Sequence, residues 1–99
     1  MIPDRAFYRS AWYFLAATRG GAMRARLMKR LIERPYNPNQ LSVLLQVDYK
    51  TVRHHLEVLV KNNWLTRSSD KYGELFFCAF SEEQKKVFDG VLEKIGKNL

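Results

Sequence analysis

Asn37-Pro38-Asn39-Gln40-Leu41-Ser42-Val43-Leu44-Leu45-Gln46-Val47-Asp48-Tyr49-Lys50-Thr51-Val52-Arg53-His54-His55-Leu56-Glu57-Val58-Leu59-Val60-Lys61-Asn62 contains two helix starts separated by a tight turn. Asn37 is a good N-cap and Pro38 suits the first helical position. Gln40 stands where a capping-box partner reaches back to the cap. The helix so begun is short, through about Leu45, with Leu41, Leu44 and Leu45 as its inner face. Gln46-Val47 makes the turn. Asp48 caps a second helix that runs to about Asn62. Val52, Leu56, Leu59 and Val60 share one apolar stripe at helical spacing. At ~100° per residue, the opposite face collects Lys50, Thr51, His54, Glu57, Val58 and Lys61. Asn62-Asn63 ends the helix, because Asn tolerates left-handed C-cap geometry.

Upstream, Asp4 to Thr18 reads as a helix, with Asp4 as cap and Phe7, Ala11, Phe14, Leu15 and Thr18 at helical spacing. Tyr8, Trp12 and Tyr13 make it aromatic nearly all round, which predicts burial on most sides. Arg19-Gly20-Gly21 interrupts it. A further helix runs from about Ala22 to Arg34 and stops at Pro35. Its apolar side carries Met23, Leu27 and Leu31, and its other side Arg24, Arg26, Lys29 and Arg30. Downstream, the period changes to two. Trp64 to Ser68 reads as a strand, Ser69 to Gly73 as a turn, and Leu75 to Phe80 as the returning strand of a hairpin. Ser81-Glu82-Glu83-Gln84 is a capping box that opens a last helix, through about residue 97. Val87, Phe88, Val91, Leu92 and Ile95 lie on one face of that helix.

The chain has 99 residues, 46% of them hydrophobic and 27% charged, which suits one globular domain and excludes a disordered or fibrous chain. The single cysteine, Cys78, cannot form an internal disulfide, and no Cys/His cluster has zinc spacing. This predicts a cytoplasmic protein with no bound metal. The longest apolar run, Ala11 to Ala17, is seven residues, against ~20 for a membrane span. Neither a span nor an export signal is expected. The net charge is +7, with +7 in residues 19–71, +1 before them and −1 after them. A localised basic excess suits a polyanion partner. No phosphate loop, HExxH or activated nucleophile appears, so neither catalysis nor a cofactor is expected.

The order is helix, helix, short helix, tight turn, helix, hairpin, with an extra helix at each end. The segment from Ala22 to Phe80 resembles a winged helix-turn-helix of the ArsR type, including its small archaeal relatives. The resemblance rests on residues 39–59, with a Thr51-Val52-x-x-His55-Leu56-x-x-Leu59 core, then on Asn62-Asn63-Trp64-Leu65 and the hairpin ending at Phe80. It implies an α+β, mostly α, single winged-helix domain. Residues 4–18 form its N-terminal helix, 22–80 its core and 81–97 its C-terminal helix. Two positions depart from the family: Gln46 replaces the usual turn glycine and Asn63 the usual glycine after the groove helix. The metal-binding cysteines of many ArsR-type sensors are absent, so metal sensing is not carried over.

The resemblance implies a homodimeric, sequence-specific transcription regulator of double-stranded DNA. A major groove ~12 Å wide admits one helix. Lys50, Thr51 and His54 stand on the free face near the start of that helix, Tyr49 at its first position and Arg53 on its flank. Arg67 and Lys71 lie in the wing, where phosphate or the minor groove would be met. His55 falls between faces and reads as a packing residue. A metal shared by His54 and His55 is disfavoured, because neighbouring helix positions point ~100° apart. The surplus apolar faces predict a dimer interface of Phe7, Trp12, Phe14, Val87, Phe88, Val91, Leu92 and Ile95. The competing arrangement has one end helix covering the other within the chain. Two other functions fit: a protein–protein adaptor, and an RNA or single-strand binder using Tyr8, Trp12 and Tyr13.

Overall fold

The computed structural model describes residues 5–70 and 73–97, and its first fixed point is the Asn37 cap. The Asn37 side chain accepts from the Gln40 backbone N–H at 2.7 Å, and the Gln40 side chain accepts from the Asn37 N–H at 2.9 Å. This reciprocal box is worth about 1 kcal/mol. It starts helix α3, Pro38–Leu45. Gln46 then takes the left-handed conformation, φ 55° and ψ 48°, and the Val47 N–H returns to the Ser42 carbonyl at 3.1 Å. Helix α4, Tyr49–Lys61, follows Asp48 and ends in Asn63, at φ 63°. Both departures from glycine therefore sit at left-handed positions. That conformation costs an L-residue roughly 1–2 kcal/mol, less for Asn.

Ahead of this pair lie helix α1, Arg5–Trp12, a π-helical turn, Tyr13–Ala17, and helix α2, Gly21–Glu33. After it come β1, Leu65–Asp70, β2, Gly73–Cys78, and helix α5, Glu82–Lys97. The strands pair antiparallel with Leu65 opposite Cys78 and Asp70 opposite Gly73. The hairpin is therefore longer at its tip than the sequence suggests, since Ser69, Asp70 and Gly73 are ladder residues rather than turn. The expected Asp4 cap and the wing residues Lys71 and Tyr72 lie outside the described residues.

The chain forms two compact units, one from Arg26–Ala79 and one from Met1–Ala25 with Phe80–Leu99. The border falls inside α2. In the Arg26–Ala79 unit, Leu27, Met28, Leu31, Leu41, Leu45, Val52, Leu56, Leu59, Trp64, Leu65 and Phe76 are buried. Fully burying a Leu or Phe contributes roughly 1.5–3 kcal/mol. Tyr36 pairs with Phe76 beyond the hairpin, exchanging both backbone hydrogen bonds, which ties the α2–α3 connection to the sheet. Leu44 is 42% exposed and Val43 79%. The inner face of α3 is Leu41 and Leu45, one turn apart, without Leu44.

In the other unit, Phe80 joins two rings. Its centroid lies 5.0 Å from Phe7, edge-on, and 5.4 Å from Phe88. Phe7, Ala11, Leu15, Phe88 and Val91 are buried, so α1 packs on α5 within one chain. This corrects part of the expected dimer interface: Phe7, Phe88 and Val91 are already enclosed. Trp12, Phe14, Val87, Leu92 and Ile95 are half-buried. Tyr13 is 64% exposed, so the first helix is not buried on most sides.

The expected helix to Thr18 is also corrected, because its last turn is π-helical and Thr18 is extended. Arg24 accounts for the closure of this break. Buried, it donates to the Thr18 hydroxyl and to the Phe14 carbonyl at 3.4 Å, and its guanidinium lies 4.3 Å from the Phe14 ring centroid. Burial pulls its pKa down. Gly21 opens α2 against the Leu15 carbonyl, where a β-carbon would stand 1.8 Å from the oxygen. At the far end, the Ser81–Gln84 capping box forms in both directions, at 2.9 and 3.1 Å.

Candidate nucleic-acid interface

Asp48 sets the first turn of α4. Its carboxylate accepts from the Thr51 N–H at 3.0 Å and from the Thr51 hydroxyl at 2.7 Å. The Thr51 hydroxyl, then its N–H, holds the Asp48 carboxyl below the usual carboxylate range. Thr51, expected as a base reader, is thus half-buried with its proton committed to the cap. The side chains left in solvent are Tyr49, Lys50, His54 and Lys61. Lys50, His54 and Lys61 fall within about 40° of one another around the helix axis. They form a continuous polar ridge, and Tyr49 stands beside its N-terminal end. His55 is half-buried against His54, ring centroids 5.3 Å apart.

Arg53 and Arg67 are not isolated cations. Arg53 on α4 bonds Glu57 one turn along, at 3.3 Å, and also Glu74 on β2. Arg67 on β1 bonds Glu57 by both terminal nitrogens, one at 2.8 Å, and Glu74 at 3.1 Å. Two arginines and two glutamates thus close a ring between the helix and the hairpin. The sheet register brings them together. Arg67 faces Phe76 directly and Glu74 diagonally, and its guanidinium lies 5.3 Å from the Phe76 ring centroid. Arg67 holds the Glu57 carboxyl low, and Arg53 followed by Arg67 does the same for Glu74. Both arginine pKa values are raised in return, Arg53 chiefly by Glu74 and Arg67 chiefly by Glu57. Sequence reasoning missed this ring. The Arg53–Glu57 spacing was visible as an i,i+4 pair, but the other two partners follow only from the hairpin register.

Of the basic residues on α2, Arg24 is enclosed and Arg26 donates to the Leu45 carbonyl at 3.1 Å, holding the end of α3. Arg26, Lys29 and Arg30 line an open cleft of about 440 Å³ with Glu33, Leu44 and Leu45. Among the described residues, no group of three or more His, Cys, Asp or Glu could hold a metal ion. None of the described helices is long and apolar enough to cross a membrane.

Residues 23–63 match the bacterial regulatory protein, arsR family. The fold is similar to a probable transcriptional regulator from Pseudomonas aeruginosa, with a TM-score of 0.70 at 20% identity, over 92% of this chain and 72% of that one. A transcriptional regulator from Thermotoga maritima is similar with a TM-score of 0.60 at 23% identity, covering 90% of this chain and 61% of that one. A mutant of MarR from E. coli, complexed with operator DNA, is similar with a TM-score of 0.63 at 18% identity, over 96% of this chain and 69% of that one. No curated protein matches the sequence. Match and fold together define a winged helix-turn-helix fold, the one these transcriptional regulators share. Its helix-turn-helix, residues 23–63, is the part similar to the arsR family.

Proposed function

We propose that this chain is a sequence-specific regulator that binds double-stranded DNA as a homodimer in the cytoplasm. Helix α4 enters the major groove and the wing, residues 64–80, lies on the backbone or the minor groove. The observation that carries this reading is the exposed ridge of Lys50, His54 and Lys61 on a helix whose start is fixed by Asp48 and braced by α3. Lys50 suits a guanine edge, His54 a base edge or phosphate, and Tyr49 a phosphate or a thymine methyl. The cleft lined by Arg26, Lys29 and Arg30 offers a further seat for backbone phosphate. The E. coli protein of the same fold, complexed with operator DNA, supports the reading.

Selection of bound sequences from a random duplex library tests it. A preferred duplex should emerge, bound roughly 10³-fold or more tighter than random duplex at the same salt. The matching single strand should compete no better than random duplex. Equal affinity for all duplexes would overturn sequence-specific regulation, and preference for the single strand would favour an RNA or single-strand binder.

A further inference from the structure

The ring of Arg53, Glu57, Arg67 and Glu74 lies where the groove helix meets the wing. It places two guanidinium groups at a proposed DNA surface and cancels both charges there. The side chains of Arg53 and Arg67 are each 30% exposed, so solvent, and hence a phosphate, can reach them. Carboxylate and phosphate offer guanidinium the same recognition, paired oxygens accepting paired N–H donors.

We propose that Glu57 and Glu74 act as internal stand-ins for DNA phosphate, holding Arg53 and Arg67 until a duplex displaces them and thereby suppressing binding to non-cognate DNA. This inference rests on the DNA-binding reading above. A random duplex must take the arginines from partners already in place and also meets two carboxylates. It therefore gains little from this corner of the surface. A preferred duplex is held by the ridge on α4 and keeps phosphate against the ring long enough for the exchange. The acids thus lower the weaker affinity more than the stronger one, which widens the ratio between them. Each arginine bonds both glutamates, so removing one acid leaves each arginine the other and unmasks the pair only in part, whereas removing both unmasks it fully.

A purely structural role for the ring makes the opposite forecast. If the acids served only to pin the wing, their loss would loosen the hairpin and weaken binding to every duplex. The test therefore compares the full-length protein with its Glu57→Gln/Glu74→Gln form. Anisotropy is read on a random duplex and on the selected duplex over a series of salt concentrations. The double variant should bind random duplex on the order of tenfold more tightly near 0.1 M salt, with a salt slope steeper by one to two counterions. Its preference for the selected duplex should fall. Adding Arg53→Gln and Arg67→Gln to the double variant should remove the gain. An unchanged slope, or weaker binding to random duplex, overturns the proposal.

Retention on immobilised heparin, a polyanion that is not DNA, separates the two readings. If the wild-type protein binds no duplex, the DNA-binding reading falls. Later elution of the double variant from heparin would still establish unmasking, and unchanged elution would refute it. Should the double variant fail to fold by circular dichroism, Glu57→Gln alone is expected to show a smaller shift in the same direction. No shift in a folded single variant then counts against the proposal.

Discussion

His54 follows Lys50 by one helical turn, and both stand in solvent. His54→Ala removes a side chain with no part in the apolar core, so its effect should appear in recognition rather than in folding. The expected loss is roughly 1–3 kcal/mol on the preferred duplex and little on random DNA. Titration of both duplexes by anisotropy checks this, and equal losses would show that His54 reads no base. Thr51→Ala is the less clean substitution, because it also strips a donor from the Asp48 cap. Gln46 gives a second single-residue forecast. At φ 55° it carries the strain that glycine avoids. Gln46→Gly should therefore raise stability by up to about 1 kcal/mol, read as a higher urea midpoint at unchanged slope. An unchanged or lower midpoint would show that the Gln side chain repays its own strain.

Two elements meet at Gly21, where α2 begins against the carbonyl of Leu15. A methyl group there collides with backbone, which cannot swing away as a side-chain tip would. Gly21→Ala should cost several kcal/mol, visible as a lower melting temperature, whereas Gly90→Ala meets nothing within 4 Å and should be neutral or mildly stabilising. Comparable melting temperatures for the two variants would refute the close approach. The junction of α4 with the hairpin responds instead to acid. Glu57 and Glu74 have lowered pKa values in the folded chain, so the stability they contribute is complete above the ordinary glutamate value. It is lost as the pH falls through the lowered ones. Solvent screening keeps each exposed pair small. Amide exchange in β1 and β2 should therefore rise relative to that in α3 as the pH drops below about 4.3, after correction for intrinsic rates. A constant ratio would show that the ring does not hold the wing.

For the whole molecule, the proposed dimer has to be built from apolar surface that the packing of α1 on α5 leaves over. Trp12, Val87, Leu92 and Ile95 are half-buried, and Tyr13 is exposed. Sedimentation equilibrium should give twice 11.7 kDa. Leu92→Glu with Ile95→Glu should return the single-chain mass while circular dichroism is retained. A wild-type mass of one chain would refute the dimer. A two-fold dimer would suit a palindromic site with half-sites about 34 Å apart. Much of this architecture was legible in the residues. Asn37, Gln40, Asp48 and Ser81 cap helices through local hydrogen bonds, and the stripes on α2, α4 and α5 follow from period alone. Local signals could not reveal how the stripes divide among partners. Phe7 and Phe88 read from the sequence as interface, and become core only once Phe80 is placed between them. The exposed ridge was legible through Lys50 and His54. The roles of Thr51, Arg53 and Arg67 were not, since each depends on a cap or a cross-strand neighbour.

The Phe7–Phe80–Phe88 cluster has a consequence for how the chain is born. Arg26–Ala79 is one continuous stretch, whereas the other unit joins both ends of the sequence. During synthesis, α3, α4 and the hairpin are all made before α5. They can acquire their structure without α5, since α3, α4 and the strands pack on one another within that one stretch. Helix α1 is made before α5 and closes only with it, with Phe7, Ala11 and Leu15 uncovered until α5 arrives. A chain ended at Ala79, released and without α5, should therefore show a protected hairpin and a protease-sensitive α1. In the cell, that uncovered aromatic helix is what a chaperone or a quality-control protease would meet.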